Sequence, residues 1–238
     1  MELETMTNEA KIKSILDTLN EVGEELLALP EDMLLSIDPR DNESITTRSA
    51  FLKDYNIPLE QYSASVTRIT TLLKNFFDVD PEQEDEESSI GENTHRDRIV
   101  QELDRNESHS LDEPFTFKRP YGFILNDRAY KGLKTWKNLY LHVLNYLYES
   151  NPSRFVTVTQ EKKWISRRDN PAFSANPSDL RVAAPIPGDL HAEVNLCAND
   201  MVKNIKKLLA SYDIPLSAMK IYLREDRDAA AEPGHSPR

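Results

Sequence analysis

Residues 161–168, Glu161-Lys162-Lys163-Trp164-Ile165-Ser166-Arg167-Arg168, set four cations around one tryptophan. Nucleic-acid recognition asks for Lys and Arg to meet phosphate and for an aromatic ring to stack or wedge, and both are present in these eight residues. The plainer arrangement is a solvated loop whose Trp164 anchors itself in the core. Two more basic groups lie in the same half of the chain. Lys203, Lys206 and Lys207 fall on the flank of a helix away from Val202, Ile205 and Leu209, and Lys118 and Arg119 stand beside Tyr121. Lysines at i, i+3 and i+4 make a phosphate track, and they are also what a solvated amphipathic helix shows.

Catalytic constellations are weaker. Glu161-Lys162-Lys163 matches the E-x-K of metal-dependent nucleases, in which the acid holds the metal and the lysine activates water. That site needs a second acid on a neighbouring strand. The nearest upstream candidates, Asp127 and Glu149, fall in a turn and near a helix end. His191-Ala192-Glu193 has the H-x-E of zinc deaminases, but the further cysteine ligands are missing, since Cys197 is the single cysteine. Cys197 with His191 as nucleophile and base competes with the commoner role of a small buried hydrophobe. His95, His109 and His142 are too dispersed for a metal site. No cofactor is expected, and a non-catalytic protein is favoured.

The charge is divided by region. Residues 1–113 carry 10 Lys+Arg against 28 Asp+Glu, whereas residues 114–238 carry 19 against 13, so a −18 front half precedes a +6 back half. One cysteine excludes an intramolecular disulfide and multi-cysteine metal frameworks. Six scattered glycines weigh against a phosphate-cradling loop. No apolar run approaches the roughly 20 residues of a membrane span, and the opening MELETMTNEAKIK lacks the basic-then-apolar order of a signal peptide. The cytoplasm is the expected location.

The elements that must position these residues follow from periodicity. Ile12, Ile15, Leu19, Val22 and Leu26 form a heptad seam over a helix from Asn8 to Leu29, ending before Pro30. Tyr62, Val66, Ile69, Leu73 and Phe76 form another after Pro58, with a weaker helix over Ile45–Ile57 between them. Each seam is about two heptads long, short for a free coiled coil, so residues 1–77 are expected to form a helical bundle packing on itself or on a second copy. Residues 78–113, with 14 acids and no aromatic residue, are expected to be a disordered linker, with a transient helical turn around Ile99, Val100 and Leu103. Its acid run Glu82 to Glu87 is either a spacer or an internal polyanion facing the basic half.

Residues 114–225 read as a mixed α/β module. Residues 115–133 predict a β-hairpin about Asn126-Asp127, and Thr135 caps a helix whose stripe is Trp136, Tyr140, Val143, Leu144 and Leu147. FVTVT predicts a short strand, and residues 161–189 a loop. LHAEVNL predicts a strand leading, through Asn195 or Asn199 as N-cap, into a helix with Val202, Ile205, Leu209 and Tyr212 inside. MKIYLRE closes as a strand, and residues 226–238 form a frayed tail. This order, with KTWKNLY, ESNPSRF, HAEVNLCANDMVKNIKKLL and KIYL, resembles a module of bacterial proteins from restriction and phage-defence neighbourhoods. The resemblance spans about 115–225 and implies no site residues.

The expectation is therefore an α+β protein with an N-terminal helical bundle, an acidic linker and a C-terminal α/β module. Its expected role is that of a non-catalytic nucleic-acid-binding or assembly component, with a bacterial anti-phage defence or restriction system as the expected setting. Lys118, Arg119, Lys162, Lys163, Trp164, Arg167, Arg168, Lys203, Lys206 and Lys207 are the candidate contacts. Alternatives are an adaptor for an acidic protein partner and a metal-dependent nuclease. Self-association or a protein partner is assigned to residues 1–77, and no membrane contact is expected.

Overall fold

The computed structural model describes residues 8–35, 41–77, 92–166 and 170–226, and the chain divides into two units, Met1–Glu87 and Ser88–Arg238. The architecture is α+β. In the first unit, α1 (Asn8–Leu35) and α2 (Asn42–Phe77) form a two-helix hairpin. Asp41 starts α2, its Oδ1 accepting the Glu43 and Ser44 amides at 3.0 and 3.2 Å. Tyr62 Oη donates to the Leu19 carbonyl, Tyr55 Oη to Leu26 and Arg48 Nη1 to Met33. Each step of seven residues down α2 thus moves seven residues up α1, and the helices are antiparallel. Both helices run through the prolines expected to bound them, Pro30 and Pro58. A proline removes one amide donor and crowds the preceding turn, a local cost that packing along the rest of so long a helix can offset.

The second unit begins earlier than expected. Of the segment assigned to a disordered linker, residues 92–113 fold: α3 (Glu92–Leu103) lays Ile99 and Leu103 against Tyr222, and Leu111 is buried in the main core. Leu103 sits so close to the sheet that a Cβ on Gly122 would lie 2.8 Å from its Cδ2 and 2.5 Å from the Tyr130 carbonyl. Composition misled here. Ile99 and Leu103, one helical turn apart, suffice for docking when aromatic residues of another element complete the surface.

β1 (Pro120–Leu125) and β2 (Arg128–Lys131) pair antiparallel about Asn126-Asp127, with Asn126 at φ +50° as a tight two-residue turn requires. The strands start later than expected, because Phe115–Arg119 turns instead, with Phe117 at φ +59°. α4 (Trp136–Ser150) is capped by Thr135, whose Oγ1 accepts the Asn138 amide. α5 (Pro152–Thr159) replaces the strand expected at FVTVT. Asn151 caps it, Pro152 fits its first turn, and Phe155, Val158 and Thr159 bury one face, so capping and i, i+3, i+4 burial override β-branched propensity. The region expected to be a loop contributes β3 (Phe173–Ser174) and β4 (Ala183–Ile186), both paired to β5 (Leu190–Glu193). α6 (Ala198–Ser211) is capped at Cys197 rather than at either asparagine. Asn199 instead ties the chain at Phe115 and Thr116. β6 (Met219–Leu223) completes the order β2-β1-β6 beside the separate sheet β3-β5-β4. The inner faces of α4 and α6, with Trp136, Leu139, Val143, Ile205 and Leu209 buried, join both sheets in one core.

Candidate nucleic-acid interface

The cationic cluster is built by α6 and a 3-10 turn, Lys162–Trp164. The turn follows α5 and delivers Trp164 inward, where the ring keeps 4% of its exposure. Its Nε1 donates to the Val158 carbonyl at 2.7 Å and its plane stands edge-on to Phe173, centroids 5.1 Å apart. Lys163 and Lys207 place their Nζ atoms 5.6 and 5.7 Å from the ring centroid. Held this way, Trp164 offers no open face to a base. The ring serves as a core anchor, the plainer of the two arrangements that the sequence allows.

Around that anchor, Lys162, Lys203 and Lys207 are exposed and, among the described residues, have no acidic partner. Lys163 is exposed but engaged, 2.9 Å from Glu161 Oε2 and donating to Ser211 Oγ at 2.7 Å. Lys206, one turn beyond Lys203 on α6, is drawn to Asp112 at 2.8 Å. Lys118 lies over the Phe115 ring, and Arg119 pairs with Glu225 through Nε at 2.9 Å. The ten candidates therefore separate. Lys163 and Lys207 flank Trp164, with Lys162 next to the first in the 3-10 turn and Lys203 one turn before the second on α6; Lys206, Lys118 and Arg119 serve internal contacts, and Arg167 and Arg168 lie outside the described residues, as does the Glu82–Glu87 acid run.

The other constellations have separate partners. Glu161 is tied to Lys163, Glu149 to Arg128 at 3.2 Å, and Asp127 Oδ1 accepts from Tyr146 Oη at 3.5 Å. Among the described residues, no three His, Cys, Asp or Glu side chains gather to hold a metal. His191 Nδ1 is buried without a hydrogen-bond partner, and Cys197 is buried at the start of α6, so no hydrogen bond from that nitrogen prepares the thiol. No described helix is long and apolar enough to cross a membrane.

Three titratable residues organise the unit in roles that the sequence reading did not assign to them. Glu193 is buried, and its carboxylate accepts the amides of Arg181, Val182 and Asn195 at 2.7, 3.2 and 2.7 Å. His109 stands 2.8 Å from both Glu113 and Asp226 while its backbone bridges Ile221. Burial alone would lower its pKa, but hydrogen bonds to Glu113 and Asp226 outweigh it and the pKa is raised. Glu102 accepts from Lys131 and Tyr121, which hold its pKa below the ordinary carboxylate value. None of these carries a sequence signal, because each depends on partners from distant elements. No family model matches the chain, and neither a curated protein nor a solved structure matches it.

Proposed function

We propose that this chain is a non-catalytic binding protein whose second unit docks the phosphate backbone of a nucleic acid on the lysine face of α6 and the adjoining 3-10 turn. The observation that carries this reading is selective pairing. Lys131, Lys206, Arg119, Arg128 and Arg154 all meet acids, whereas Lys162, Lys203 and Lys207, in the 3-10 turn and on α6, stay exposed without an acidic partner among the described residues. With Trp164 withdrawn, such a face contacts phosphate and not bases, so binding is insensitive to sequence and steeply salt-dependent. The resemblance of its motifs to restriction and phage-defence modules supports a bacterial defence setting for that activity.

The test is binding of the full chain to labelled random-sequence duplex DNA and single-stranded RNA at low salt. Replacing Lys162, Lys203 and Lys207 together by Ala should lower affinity uniformly across sequences and reduce the salt slope by about 2–3 for duplex DNA, as three lost phosphate contacts require. Absence of binding to either polymer at low salt rejects the reading. An adaptor role toward an acidic protein is the second reading. It draws support from net charge, because residues 92–113 bring the unit from +6 to only +2.

A further inference from the structure

The hairpin of the first unit buries little. Among its described side chains only Leu16, Ala28, Leu59 and Val66 are buried, in two helices of 28 and 36 residues. Meanwhile Ile15, Val22, Phe51, Ile69 and Leu72 are 41% to 60% exposed. These five share one side of the pair. Ile15 and Val22 each precede a residue of α1 turned toward α2, Leu16 and Gly23, and Phe51 and Leu72 likewise precede Leu52 and Leu73 of α2. Ile69 lies one turn before Leu72. A step of one residue back turns the same way about each helix's own axis, and because the axes are opposed, both edges arrive on the same side.

We infer that this face takes a second copy of the chain, related by a two-fold axis that crosses the helices near Leu19 and Tyr62. Two features of the register commit the face to a copy of itself. About an axis at that level, Ile15 meets Val22 of the other copy, and Phe51, one end of the face, meets Leu72, the other end. The charged rim reverses in the same way. Lys11 lies one turn before Ile15 and Arg68 one turn before Leu72, at one end. Glu25 lies one turn beyond Val22 and Asp54 one turn beyond Phe51, at the other. The Tyr62–Leu19 and Tyr55–Leu26 hydrogen bonds set these two basic residues level with each other, and the two acidic residues likewise. All four are exposed and, among the described residues, unpaired. The two-fold lays the basic end of one hairpin over the acidic end of the other, and the product is an antiparallel four-helix bundle. This inference is independent of the lysine face in the second unit.

Sedimentation velocity of the full chain at tens of micromolar tests it. The expected species has twice the 27.3 kDa chain mass. Val22→Asp should yield a monomer whose second unit keeps its fold, read by its tryptophan fluorescence. Lys11→Glu with Arg68→Glu should weaken the dimer by about tenfold or more, since attractive rim pairs become repulsive. Adding Glu25→Lys and Asp54→Lys to that variant reverses both ends, and the dimer should return. A monomeric wild-type chain, or a dimer indifferent to Val22→Asp, overturns the inference. Failure of the fourfold reversal to recover what the double variant lost overturns the antiparallel register.

Discussion

Trp164 decides whether the residues around it are a stacking site or a lysine face built over a core anchor. Replacing it by Ala removes a ring that is nearly fully enclosed, that donates 2.7 Å to the Val158 carbonyl and that closes on Phe173. Large aromatic truncations in cores cost about 3–5 kcal/mol, against the roughly 5–15 kcal/mol that a typical domain has to spare. With a urea dependence of about 2 kcal/mol/M, the midpoint should fall by about 2 M. Trp164→Phe retains most of the apolar contact and loses the indole hydrogen bond, while the Glu161 amide still donates to the Val158 carbonyl at 3.2 Å, so its loss should be smaller, about 1–2 kcal/mol. The two tryptophans of the chain, Trp136 and Trp164, both lie in the second unit. Their fluorescence, or that of Trp136 alone in the variants, reports the unfolding of that unit. In parallel, Trp164→Phe should bind labelled duplex DNA within about twofold of the parent, because Lys162, Lys203 and Lys207 remain in place. An unchanged urea midpoint with lost DNA affinity would refute the assignment and restore Trp164 as a stacking residue.

Two further outcomes concern the charges that hold the second unit together. Glu193→Ala leaves three amides without this acceptor, the Asn195 amide buried and those of Arg181 and Val182 partly so, and should destabilise the unit by about 2–3 kcal/mol, with Glu193→Gln recovering part of the loss because an amide oxygen still accepts; equal midpoints for the parent and the Ala variant in urea titrations would show that the carboxylate is not needed. His109 must donate from both ring nitrogens to satisfy two carboxylates, which only the imidazolium can do, and its raised pKa follows. The sign is therefore fixed. The stabilisation from His109 is complete below its unfolded pKa of about 6.5 and disappears as pH rises through the raised value, so the midpoint difference between the parent and His109→Gln should shrink as pH rises above about 6.5, and a gap that grows with pH would contradict the clamp.

Periodic signals made the α6 stripe, the β1–β2 turn and the Thr135 cap legible, because each rests on residues within a few positions of one another. What could not be read depends on distance along the chain. α3 was hidden because its two apolar anchors acquire a surface only when Tyr121, Ile124 and Tyr222 arrive from β1 and β6. FVTVT looked like a strand by composition, and only Asn151, one residue before Pro152, announces a helix start. The lysines of the site were found by type and spacing, but which of them are free to bind was not, since Asp112, Glu225 and Glu161 take their share through folding. The hairpin seam shows the same limit: a heptad stripe gives the width of an apolar surface, and Ile15 and Val22 lie on its edge, away from α2, where neither residue type nor spacing distinguishes them from Leu16.

The acidic segment changes meaning once residues 92–113 are placed in the second unit. Read as a tether, its acids are a mobile polyanion competing for every cation of the basic half. Docked, Glu102 neutralises Lys131, Asp104 stands 4.0 Å from Lys220, and Asp112 takes Lys206. Three cations on two faces are thereby withdrawn from any external anion, while the flank of α6 that leans toward Trp164 receives no such partner. Removing one of these clamps should therefore extend the basic surface and not merely loosen the fold. Asp112→Asn frees Lys206 beside Lys203 and should raise affinity for a polyanion by a few fold at low salt, with the salt slope increasing by about one. Phosphate binding on α6 requires that gain. A variant that binds DNA no better than the parent, with an unchanged slope, would mean that the freed lysine does not reach the ligand and that the proposed track does not run along this helix.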